Sequence, residues 1–129
     1  MNKAVIAFAG IVTVTALGVA IAQQVAPQAA GPRVLTSVDL GPDIEAMKGR
    51  VLKLQITTYE PGRASTLHSH KGRVEVIYML QGAIIETNNG VAKEYRQGDA
   101  FFANKDTNHV IENKGSVPAL LVVSMIADK

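Results

Sequence analysis

The chain has 129 residues, 47% of them hydrophobic and 19% charged, which suits one small globular domain and leaves no room for two separate cores. Lysine and arginine number 13 against 11 acids, a formal charge of +2, too small and too dispersed for a nucleic-acid surface. Cysteine is absent, which excludes disulfides, thiolate nucleophiles, iron–sulfur clusters and cysteine-ligated zinc. His68, His70 and His109, with a few carboxylates, are then nearly the whole supply of good transition-metal ligands.

The first 22 residues differ from the rest. Met1-Asn2-Lys3 gives a short basic start, Ala4 to Ala22 carries no charge, and Ala20-Ile21-Ala22 closes the run with small residues. That order predicts a secretory signal peptide cleaved after Ala22. The alternative is an uncleaved membrane anchor, since the run approaches the roughly 20 apolar residues that span a bilayer. Either way the folded part is expected outside the cytoplasm, periplasmic or secreted. Residues 23–33 read as a flexible leader, and 34–129 as a single domain. Within 33–49 a short strand and one helical turn are expected, with Pro42 at the first helical position and Gly49 at the exit.

From Arg50 the pattern has period two. Leu52, Leu54, Ile56 and Thr58 alternate with Lys53, Gln55 and Thr57, a half-buried strand that Pro61-Gly62 ends. Further strands are predicted at 74–80, 83–87, 91–95, 100–103, 109–112 and 119–126, each bounded by Gly, Asn, Asp or Pro. Asn88-Asn89-Gly90 is a hairpin turn, because Asn and Gly tolerate positive φ. Many short strands without a long helical pattern predict an all-β antiparallel sandwich or barrel. Open edges in so small a sheet make a homodimer through an edge strand an expectation.

His68-Ser69-His70 places two imidazoles at i and i+2, on one face of an extended strand. Glu75 lies inside the apolar run Val74 to Leu80, where a lone carboxylate is costly unless paired with a cation. His109 opens its own apolar strand and shares a face with Ile111 and Asn113. One at a time, such residues are more often packed or solvated than functional. Together, three imidazoles and one carboxylate suit a divalent first-row ion such as Fe, Mn, Ni, Co, Cu or Zn, with positions left for water or substrate.

These residues resemble the cupin superfamily. Its first motif, G-x5-H-x-H-x4-E-x6-G, is matched at every fixed position by Gly62, His68, His70, Glu75 and Gly82. Its second, G-x5-P-x-G-x2-H-x3-N, is matched by Gly98, His109 and Asn113, with Asn104 where proline is usual and Asp106 where glycine is usual. Both are turn formers, so the departure bears on local turn shape. The resemblance runs from about Val51 to Ile126 and implies a small double-stranded β-helix, the jelly-roll barrel of single-domain (cupin 2 type) members. His68, His70, Glu75 and His109 carry over as ligands to one divalent transition metal ion per chain.

The fold leaves the activity open. Inward candidates Leu54, Ile56, Ile77, Met79, Phe101 or Phe102, and Ile111 predict a small, largely apolar pocket for a compact organic molecule. Arg63 and Arg73 lie on either side of the histidine pair of the first motif and are candidate contacts for an anion. By analogy with the family, the first expectation is a metal-dependent, dioxygenase-like enzyme, with Glu75 and Tyr78 as candidate catalytic residues and Tyr59 as a further proton donor or acceptor. Simple alternation sets Tyr78 opposite Glu75. The alternatives are a non-catalytic exported module that binds a small ligand or the metal itself, and a metal-dependent lyase or isomerase.

Overall fold

Alternation of apolar and polar side chains makes each segment a strand with one face to bury, and the Gly-, Asn- and Asp-containing breaks reverse the chain between them. The computed structural model describes residues 31–129, so the predicted signal segment 1–22 and most of the leader lie outside the described residues. The strands are β1 (Gly31–Asp39), β2 (Arg50–Tyr59), β3 (His68–Ser69), β4 (Val74–Gln81), β5 (Ala83–Asn88), β6 (Val91–Arg96), β7 (Ala100–Ala103), β8 (Asn108–Glu112) and β9 (Ala119–Asp128). They form two antiparallel sheets, ordered β1-β2-β9-β4-β7 and β3-β8-β5-β6. Strand β1 already includes Gly31 to Arg33, which the sequence pattern leaves in the leader. The expected helical turn is a 3-10 helix, Glu45–Met47, with Ile44 as its N-cap; Pro42 stands in the turn before it.

The inner faces meet in a core that includes Ile77, Met79, Ile84, Phe101 and Leu121, all buried. Tyr95 stacks on Phe101 at 4.1 Å between ring centroids. Of the two candidate phenylalanines, Phe101 points inward and Phe102 is exposed. The β5–β6 hairpin closes on the predicted turn, with positive φ at Asn89 and Gly90. Gly82, between β4 and β5, also has positive φ, +73°, and a Cβ there would stand 2.8 Å from the Pro118 carbonyl oxygen.

Strand β2 turns the other way from its predicted orientation. Gln55, Thr57 and Tyr59 line the interior, so Leu54 and Ile56 belong to the outer face. The reason lies in the neighbours: on that outer face Leu52 and Leu54 sit opposite Val38 and Thr36 of β1, and Leu52 and Ile56 sit opposite Ile126 and Val122 of β9. Both faces of β2 meet apolar side chains, so hydrophobicity alone does not say which is inside.

Candidate metal centre

One end of the barrel gathers the histidines. Strand β3 pairs with β8 so that His68 lies opposite His109, and the turn after β3 brings in His70, whose backbone N–H donates to the Thr107 carbonyl at 3.1 Å. The turn before β8 forms despite the missing proline and glycine: Asn104 Oδ1 accepts from the Asp106 N–H at 3.0 Å, and Thr107 Oγ1 accepts from the Asn104 N–H at 3.0 Å. Past β8, fully buried Asn113 donates to the Tyr59 and Val117 carbonyls at 2.7 and 2.9 Å and accepts from the Gly115 N–H at 2.9 Å. That clamp fixes the far end of the strand carrying His109.

The three rings present their Nε2 atoms to one another. His109 Nε2 is 2.9 Å from His70 Nε2 and 3.1 Å from His68 Nε2, and these three are the histidine, cysteine and acidic side chains that group as a possible ion site among the described residues. Behind them, His68 Nδ1 lies 2.9 Å from the Thr66 carbonyl and His109 Nδ1 lies 2.6 Å from Glu86 Oε1. A carbonyl or carboxylate oxygen only accepts, so both Nδ1 atoms carry the proton in the neutral rings and both Nε2 atoms are bare lone pairs. Bare lone pairs 3.1 Å apart repel unless a cation lies between them. An ion with bonds of about 2.1 Å to two imidazoles at right angles holds their nitrogens about 3.0 Å apart, so the donor set fits a divalent transition ion. The third ring faces Arg73, whose Nε–H donates to His70 Nδ1 at 3.3 Å, so the His70 proton lies on Nε2, between the rings; as a neutral ligand through Nε2, His70 would instead carry that proton on Nδ1, which lies 3.7 Å from Glu75 Oε1.

Beside the histidines lies a cavity of about 350 Å³. Ile77, Ile111, Leu121 and Val123 give it apolar walls, and Arg73 is the one lysine or arginine among its lining residues. Glu75 is buried and faces inward with Ile77 and Met79, as its alternation requires. Its carboxylate turns to Arg73, with Oε1 3.2 Å from Nε, and sits 3.7 Å from His70 Nδ1. It therefore lies behind His70 and outside the converging Nε2 atoms, and the fourth-ligand place assigned to it by resemblance is not filled in this arrangement. Tyr78 is a correction: it projects from the outer face of β4, 45% exposed, and does not line the cavity. Tyr59 does line it. Arg63 is exposed and engages the chain through its backbone to Asn113.

Burial pushes the Glu75 carboxyl up, opposed by Arg73 and by His68 and His109. Burial likewise pushes the Tyr59 phenol up, against a hydrogen bond with Ser65. For His70, burial first and then Arg73, His109 and His68 pull the imidazole down to about 4 from 6.5. Between pH 6.5 and about 4 the unfolded chain therefore takes up a proton that folded His70 refuses. Its contribution to stability is full above 6.5, falls as pH drops through that window and levels off below it, a loss of about 3 kcal/mol. Urea unfolding of the metal-free protein at about pH 7.5 and about pH 4.5, on either side of most of that window, checks this when compared with His70→Gln; the variant is expected to lose that part of the slope.

Glu86, Gln55 and Thr57 belong to the site, and the sequence pattern does not single them out. Glu86 is 5% exposed and alternates with buried Ile84 on the inner face of β5. An acid at an inward position among apolar residues is the signal that marks Glu75, and it applies here too.

Two antiparallel sheets closed around a core, with convergent imidazoles at one end, define a β-barrel with a candidate metal centre. The chain belongs to the cupin family: that family's sequence profile, described as the cupin domain, matches residues 55–125, a little over half of the chain. It is 32% identical over 72 residues to the oxalate-binding protein of Thermotoga maritima, covering 56% of this chain and 60% of that one. It is also 32% identical over 62 residues to the tetracenomycin polyketide synthase protein TcmJ of Streptomyces glaucescens, covering 48% and 42%. The chain thus matches less than two thirds of the length of either relative. Among solved structures, a protein of Thermus thermophilus superposes with a TM-score of 0.54 at 28% identity, over 63% of this chain and 75% of that one.

Proposed function

We propose that this cupin holds one divalent transition ion on His68, His70 and His109 and acts as a metal-dependent enzyme on a small organic anion, with oxygenation as the leading reaction class. The observation that carries the metal is the pair of bare Nε2 atoms on His68 and His109, 3.1 Å apart. The ion would supply Lewis acidity and open coordination positions to the bound molecule. Arg73 lines the cavity with its Nε engaged by Glu75 at 3.2 Å, and a guanidinium carries further N–H donors of the geometry that pairs with a second carboxylate in two-point fashion. The oxalate-binding relative supports a small carboxylate as the ligand. It also supports the second reading, a module that binds such an anion without turning it over. By the pattern of residues 1–22, the domain works outside the cytoplasm.

The test is calorimetric titration of metal-loaded protein with oxalate and with its neutral diamide, followed by oxygen uptake over a panel of small carboxylates, phenols and diketones. Oxalate is expected to bind and the diamide not to, and Arg73→Met is expected to weaken oxalate by about 10-fold or more at matched metal occupancy, the loss of roughly one charge-assisted contact; metal content is measured alongside because Arg73 also contacts His70 and Glu75. Equal binding of the two probes, or no effect of Arg73→Met, contradicts an anion site. Tight binding without turnover on the panel favours the binding module.

The outer face of the five-stranded sheet supports a homodimer. Leu52, Val74, Val76, Tyr78, Leu80 and Phe102 are all exposed there, and the β-sheet register sets Val76 beside Phe102. From β2 to β7 this face extends about 14 Å, three strand spacings of ~4.8 Å, and gathers its apolar side chains in one patch where an ordinary monomer surface scatters them singly. A second copy of this chain is the occupant we assign to it, face to face and not edge to edge. Light scattering is expected to give a dimer, and Val76→Lys a monomer with its ion site intact; a monomeric wild-type protein contradicts the assignment.

A further inference from the structure

Glu86 lies outside both motifs, yet it makes the shortest polar contact at the candidate metal centre. Its Oε1 stands 2.6 Å from His109 Nδ1, and both side chains are almost completely buried. The two acids near the histidines are differently placed. Glu75 is held by the guanidinium of Arg73 at 3.2 Å, so its charge is offset locally. Glu86 has Lys93 opposite it across the β5–β6 ladder, but the Lys93 ammonium sits 4.7 Å above the Tyr95 ring, and the side chain at hydrogen-bond distance from the Glu86 carboxylate is His109. His109 is in turn the hub of the cluster, within 3.1 Å of both other Nε2 atoms.

Resting on the metal reading above, we propose that Glu86 is the positioning residue of the centre: it holds the His109 proton on Nδ1, aims the Nε2 lone pair at the ion, and supplies the negative charge behind the ligand. A carboxylate behind a ligating imidazole fixes ring and tautomer and raises ligand basicity, and losing such a partner lowers metal affinity about 10- to 100-fold. His68 receives the weaker form of the same support from the neutral Thr66 carbonyl. His70 has a donor, Arg73, at that position. Of the three rings, His109 alone has an anion at hydrogen-bond distance behind it, and it is the ring the other two converge on.

Two variants separate the roles. Glu86→Gln keeps the volume and an acceptor for Nδ1–H but removes the charge; Glu86→Leu removes both. Long-range proton–nitrogen NMR of the metal-free protein reads the tautomer directly, and competition with a chromophoric chelator for Co(II) reads affinity. His109 is expected to carry its proton on Nδ1 in the wild type and in Glu86→Gln, and on Nε2 in Glu86→Leu. Co(II) affinity is expected to fall several-fold in Glu86→Gln and by about 10- to 100-fold in Glu86→Leu. A wild-type His109 protonated on Nε2, or a folded Glu86→Gln that binds Co(II) as the wild type does, overturns the proposal. If Glu86→Leu does not fold, the wild-type tautomer and the Gln affinity still decide it. A wild type that keeps the Nδ1–H tautomer but binds neither Co(II) nor any of Mn(II), Fe(II), Ni(II), Cu(II) and Zn(II) overturns the metal reading and the charge role together, leaving the orienting contact established.

Discussion

Replacing His109 with alanine is expected to abolish divalent-ion binding, with affinity falling by well over the roughly 100-fold that loss of an outer partner costs. The reason is geometric. Both other Nε2 atoms converge on His109, at 2.9 and 3.1 Å, so removing it leaves no third imidazole in the cluster. The substitution also strips buried Glu86 of its partner, which costs the fold about 1–3 kcal/mol. His68→Ala is the matching control: His68 is only half-buried and its Nδ1 rests on a backbone carbonyl, so the ion should be lost with little change in the unfolding midpoint. Metal analysis after dialysis, beside thermal unfolding of the apo forms, separates the two effects.

Gly82→Ala is expected to be the most destabilising small change in the barrel. Gly82 has φ +73°, and an added Cβ would meet the Pro118 carbonyl oxygen at 2.8 Å and Ala119 Cα at 3.0 Å. Those are backbone atoms at the start of β9, and neither can swing aside as a flexible side chain does. The left-handed backbone costs about 1–2 kcal/mol for an L residue and forced overpacking about 1–3 kcal/mol, so a loss of about 2–5 kcal/mol is expected in denaturant unfolding. Gly90→Ala is the comparison, since its φ of +81° is similar but nothing lies within 4 Å of the added Cβ; it should show the conformational cost alone.

Much of this fold is legible in the residues. Seven strands from β2 onward follow the apolar runs to within a residue or two, because each run is closed by Gly, Asn, Asp or Pro with a defined turn preference. The histidine cluster is legible too, since three histidines and no cysteine leave few ways to build a candidate metal site. Two things are not. The orientation of β2 is hidden because the outer face of its sheet is as apolar as the inner one, a consequence of Val38, Ile126 and Val122 lying beside Leu52 and Ile56. The partners of the acids are hidden because spacing along a strand gives a face and says nothing of rotamer. Thus Glu75 shares the predicted face and turns to Arg73, while Glu86, close to the Asn-Gly turn, reaches a histidine 23 residues away.

Metal binding is tested most directly by mass-spectrometric metal content of the full chain, loaded with Mn(II), Fe(II), Co(II), Ni(II), Cu(II) or Zn(II) and then dialysed. About one tightly held ion per chain is expected for at least one of these metals in the wild type, and none in His109→Ala under the same conditions. A wild-type protein that retains no ion from the series, or a folded His109→Ala that retains as much, contradicts this expectation.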